Sequence, residues 1–115
     1  MSRQIRQYLP VLKQIARMRD SARRTYLKNC DRRLIDCISE CAKNVLKNNV
    51  PLKESQYKRL RRQKKNVRAL ASKRTSLKRK RQIVQQRGGF LSTLLVPAIT
   101  ALGSILAGRL IPQSA

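Results

Sequence analysis

The sequence predicts an all-α protein, either a small helical bundle or a set of extended helices, with a basic, partly disordered middle and an apolar helical C-terminal tail. Three observations lead there. Apolar residues recur at three- and four-residue spacing through the first seventy positions, Gly and Pro are absent from residues 52–87, and charge is divided sharply along the chain. Of 115 residues, 28 are Lys or Arg and five are Asp or Glu, a net charge of +23. Residues 1–52 hold twelve cations and four acids, residues 53–87 fifteen and one, and residues 88–115 a single Arg. These three zones form the expected organisation: a helical N-terminal region, a highly basic nucleic-acid-binding region, and a Gly-Gly junction followed by an apolar tail.

The clearest helix covers 32–47. Leu34, Ile35, Ile38, Cys41, Ala42, Val45 and Leu46 lie on one face, Asp31 stands at the N-cap, and Asn48-Asn49 ahead of Pro51 supplies a stop. Upstream, Ile5, Leu9, Leu12, Ile15 and Ala16 form a shorter stripe, which Pro10 permits only if a helix begins near it. Ala22 to Leu27 adds a turn or two of helix. In the middle zone, Tyr57, Leu60, Lys64, Val67, Leu70 and Ala71 keep helical spacing, and a break at 72–76 lets Thr75 or Ser76 cap a last basic helix. Repulsion among its cations predicts partial disorder there until phosphate is present. The tail from Phe90 to Ile111 carries one charge, Arg109, and is interrupted by Pro97, Gly103 and Gly108.

Composition narrows function. With no His and five scattered acids, catalytic triads, general-base pairs and metal sites are hard to assemble, so the chain reads as a polyanion binder without catalytic residues, metal or cofactor. The candidate phosphate-neutralising residues are Lys58, Arg59, Arg61, Arg62, Lys64, Lys65, Arg68, Lys73, Arg74, Lys78, Arg79, Lys80 and Arg81. Dense cations on helices release condensed counterions from nucleic acid and bind without sequence preference. A nuclear-localisation signal or a solvated face is the plainer reading of the same residues. With Tyr57 its one aromatic, the zone offers little for single-strand stacking. Cys30, Cys37 and Cys41 read as small buried apolar residues in a reducing compartment, and the acids of the first half as caps and ion-pair partners. No secretory signal opens the sequence.

The tail admits three readings. A membrane-active interfacial segment beside a basic zone suits anionic lipid, a buried hairpin or oligomerisation surface is its rival, and a stable transmembrane anchor is opposed by Pro97 and Arg109. The junction Gln86-Arg87-Gly88-Gly89-Phe90 is either a helix C-cap with a linker or an extended protease substrate, and physical grounds favour the cap.

Residues 87–108, Arg-Gly-Gly-Phe-Leu-Ser-Thr-Leu-Leu-Val-Pro-Ala-Ile-Thr-Ala-Leu-Gly-Ser-Ile-Leu-Ala-Gly, resemble the end of the adenovirus core protein X (mu) precursor. The longer pattern, taking in Cys37 to Lys47, Val50-Pro51-Leu52 and the basic lead into Arg87-Gly88-Gly89-Phe90-Leu91, is similar to the X-like proteins of Polinton (Maverick) elements and adintoviruses. The resemblance implies a virion core protein that condenses double-stranded DNA, with RNA also open as a ligand, and that is cut between Gly89 and Phe90 by a viral cysteine protease. Gln86 stands where the adenovirus protease prefers an aliphatic residue. Expected partners are DNA, the protease, capsid proteins, a membrane through 90–115, and further copies of the chain. The expected locations are the virion core and the host nucleus.

Overall fold

A computed structural model describes residues 3–86 and 90–106, with side chains placed through Ala101. Among the described residues eight helices run in order: α1 (Arg3–Gln7), α2 (Leu9–Arg17), α3 (Asp20–Lys28), α4 (Arg32–Leu46), α5 (Glu54–Arg62), α6 (Lys64–Ala71), α7 (Leu77–Val84) and α8 (Phe90–Leu106). No strand occurs among the described residues. The Cα radius of gyration is 13.5 Å, close to the roughly 13 Å expected of a compact domain of this length. Of the two expected arrangements, the bundle is the one formed.

Helix α4 is the centre of the fold and touches α1, α6, α7 and α8. Its apolar face is buried as its spacing requires, with Ile35, Ile38 and Ala42 fully enclosed. Asp31 begins the helix by accepting the Leu34 N–H at 2.9 Å. Its other carboxylate oxygen accepts the Tyr8 hydroxyl at 3.3 Å, which ties the α1–α2 junction to this helix start. At the far end Asn48 takes φ 60°. The Asn49 N–H then reaches the Asn44 carbonyl at 2.9 Å and the Asn48 N–H reaches that of Val45 at 3.2 Å. That pair of bonds closes a helix in a left-handed turn, which Asn tolerates better than other residues bearing a Cβ. Leu46, placed on the apolar face by its spacing, is 42% exposed beside this turn.

The basic middle forms three helices. The spacing from Tyr57 to Ala71 suggests one helix, but the chain breaks at Gln63 (φ −105°, ψ 25°). The stripe explains the break, because Lys64 falls between Leu60 and Val67. A straight helix would press Lys64 against the core, whereas the kink buries Leu60 and Val67 and leaves Lys64 in solvent. Tyr57, the first member of the expected stripe, is 54% exposed. Gln56 starts α5 by accepting the Lys53 N–H at 2.9 Å, and Ser76 starts α7 by accepting the Arg79 N–H at 3.1 Å.

The apolar tail helix is part of the core. Helix α8 packs on α2, α4 and α5, burying Leu91, Leu94, Leu95 and Ala98, and the Ser92 hydroxyl donates to the Ala16 carbonyl at 3.1 Å. A helix that is apolar all round needs surroundings that are apolar on most sides, and here other helices provide them. Among the described residues, no helix is long and apolar enough to cross a membrane.

Candidate nucleic-acid interface

The break at Gln63 creates a strongly cationic recess. Arg61 and Arg62 close α5, and Lys64 and Lys65 open α6. Together with Gln63, Asn66 and Arg68 they line a recess of about 510 Å³ that contains no acid. Two lysines at the start of α6 oppose the positive end of its helix dipole, an arrangement that an anion at the same place relieves. The recess has a fixed floor. The Asn66 amide donates to Gln63 at 2.8 Å and to Gln86 at 2.9 Å, linking the break to the end of α7.

The remaining predicted cations divide into two groups. Lys58, Arg59, Lys73, Arg74, Lys78 and Arg79 are all exposed. Lys58 shares its charge with Glu54 at 3.3 Å, an exposed pair of small energetic consequence. Lys73 and Arg74 lie in the turn between α6 and α7, where the Ser72 hydroxyl accepts the Arg74 N–H at 3.1 Å.

Lys80 and Arg81 turn inward. Lys80 is 9% exposed and its ammonium donates to the Ser39 hydroxyl on α4 at 3.0 Å. Burial lowers its pKa, with Lys43 and Arg32 acting in the same direction and Asp36 against it. Arg81 donates to the Cys30 carbonyl at 2.7 Å, fastening α7 to the α3–α4 connection. The sequence carries a signal for the first of these, since Lys80 sits at +3 from Leu77 and −3 from Ile83, on the apolar face of α7. Within the run Lys78-Arg79-Lys80-Arg81, charge hides that phase. Gly88 and Gly89 lie outside the described residues, and Phe90, the residue after the expected cut, is 8% exposed at the start of α8.

Two further recesses escape a reading of charge alone. One, of about 430 Å³, lies beside Lys80 between α4 and α7 and is lined by Arg32, Asp36, Glu40, Lys43 and Lys73. The other, of about 300 Å³, is an apolar groove between the end of α4 and α5–α6, with Tyr57 on its wall. Cations of the first half also have structural tasks. Buried Arg23 donates to the Ile15 and Met18 carbonyls at 3.0 and 2.6 Å, closing the C-terminus of α2, and lies 3.6 Å from Asp20.

The three cysteines are buried thiols. Burial pushes Cys41 up to about 12, aided by Cys37 and Glu40. Cys37 is pushed up to about 11 by burial and then by Glu40, Asp36 and Asp31. Among the described residues no group of His, Cys, Asp and Glu is arranged to hold a metal ion. Comparison with protein-family models, with curated proteins and with solved structures gives no match.

Proposed function

We propose that the chain is a sequence-nonspecific nucleic-acid-condensing protein, with double-stranded DNA as its polyanion, acting as a virion core protein of the Polinton or adintovirus type. The observation that carries this reading is the acid-free recess at the α5–α6 break, where five cations surround one small space. The exposed cations of the 72–76 turn and of α7 extend the basic surface. Contacts of this kind bind phosphate and do not read bases. The resemblance of residues 87–108 to the adenovirus core precursor supports the same class.

Two finer elements belong to this proposal. Like-charge repulsion loosens α5 to α7 in the absence of polyanion, so DNA increases helicity. A protease that cuts between Gly89 and Phe90 leaves fragment 90–115 seated by α8 after the bond is broken. A membrane role for the tail has less support, because lipid would have to compete with packing that already encloses Leu94 and Leu95.

The test is a gel-shift series with random-sequence duplexes of equal length over rising salt. Five phosphate contacts give a log–log slope of about −4.5. Replacing Arg61 and Lys65 with Gln makes that slope shallower by about 2. Binding that is insensitive to salt, or that discriminates strongly among duplex sequences, would sink the proposal.

A further inference from the structure

The apolar groove and the cationic recess meet at two residues, since Arg61 and Lys64 line both. The groove holds about 300 Å³, at the small end of ligand pockets. Its apolar surface comes from Val45, Leu52, Leu60 and Val67. Tyr57 stands on its wall with 54% of its surface in solvent, and Leu46 is 42% exposed at its edge. Asn48, in a left-handed conformation, also lines it.

We infer that this groove takes one unpaired nucleobase, stacked against Tyr57, while Arg61 and Lys64 hold the phosphates attached to it. The inference deepens the nucleic-acid reading and rests on it. An aromatic wall and apolar floor suit a π-face, and the adjoining cations require that the same ligand be anionic within a few Å. A nucleotide unites the two, and its base is available only where the strand is unpaired. A second copy of this chain is a poor occupant, because two molecules of charge +23 repel. An acidic peptide with an aliphatic side chain meets the charge requirement but offers no π-face to Tyr57. One aromatic in the basic zone promised little stacking; what changes that estimate is the apolar floor brought to it by α4 and α6.

The experiment compares the full chain with its Tyr57→Ala and Tyr57→Phe variants, read by fluorescence anisotropy against a labelled 15-nucleotide oligothymidine and a 15-base-pair duplex. Tyr57→Ala is expected to weaken oligothymidine binding about tenfold, the lower-middle of what base stacking contributes, and to leave duplex binding within twofold. Tyr57→Phe, which keeps the ring, should stay within twofold on both. Thermal melting confirms that each variant folds, as an exposed side chain permits. Equal losses on both nucleic acids, or no loss on either, would overturn the inference. So would displacement of oligothymidine from the groove by a leucine-bearing oligoglutamate with no dependence on Tyr57. If duplex binding keeps its salt slope while Tyr57 is silent, only this inference fails. If neither nucleic acid binds, the functional reading fails with it.

Discussion

Truncating Leu94 to Ala tests whether the tail is a core element. Leu94 is fully enclosed in α8, whereas Val96, two residues on, is 44% exposed. A buried Leu→Ala change costs about 2–5 kcal/mol, and about 3 kcal/mol is expected at this fully enclosed position. Unfolding entropy scales with length, so 115 residues carry about 240 cal/mol/K and 3 kcal/mol lowers Tm by about 12 °C. Val96→Ala exposes little new surface and should move Tm by no more than about 2 °C. Melting followed by circular dichroism at 222 nm, in the same buffer for both variants, gives the comparison directly. Equal shifts for the two variants would refute the packing of α8. A shift for Leu94→Ala several times that for Val96→Ala is the outcome that the packing of α8 requires.

Three other outcomes follow from single sites. Asp31→Ala removes the cap of α4 and the acceptor for Tyr8, and should lower stability by about 1–2 kcal/mol, read in urea titrations. Lys80→Met combined with Ser39→Ala should hold or raise Tm, whereas Ser39→Ala alone strands the ammonium and lowers it. Because burial lowers the Lys80 pKa, the unfolded chain binds that proton more tightly, so its destabilising contribution is full at neutral pH and fades as pH rises toward the ordinary lysine value. The double variant should therefore gain less stability between neutral pH and about pH 10 than the parent, and a loss of DNA affinity as large as that of Lys78→Gln with Arg79→Gln would refute the inward placement. At pH 8 a thiol held at about 12, as Cys41 is, is ionised on the order of one part in ten thousand, so a disulfide reagent should leave it unlabelled until denaturant is added.

Much of the helical framework was legible in local chemistry. Asp31, the Asn48-Asn49 stop and Ser76 each act through bonds within five residues, and such bonds depend little on tertiary context. The break at Gln63 was not legible as a break, although its cause, a cation inside an apolar stripe, was visible. The site was half legible. Composition located the basic zone, but which of its cations face solvent depends on the phase of α7 against α4, and only Ser39 on the partner helix accounts for the burial of Lys80. The tail presented a different difficulty: an all-apolar helix is compatible with lipid or with protein on every side, and its contacts here are with residues of α2 more than seventy positions away.

The division of charge has an energetic consequence for binding. A compact chain at +23, with five acids against 28 Lys and Arg, carries self-repulsion that folding cannot remove. The inward-turned cations offset part of this by serving as structural donors, Arg23 to the end of α2, Lys80 to α4 and Arg81 to the α3–α4 connection. The exposed cations of α5 to α7 have little such compensation within the fold, the pair of Lys58 with Glu54 being open to solvent. A polyanion that binds them more tightly on the folded surface than on the unfolded chain makes stability rise with ligand concentration. The thermal midpoint should consequently increase with added duplex DNA, and more steeply at low salt, where the repulsion is least screened. Arg61→Gln with Lys65→Gln should raise the midpoint of the free protein while reducing the increment that DNA confers. A pair of opposite shifts of that kind is not produced by a change in packing alone.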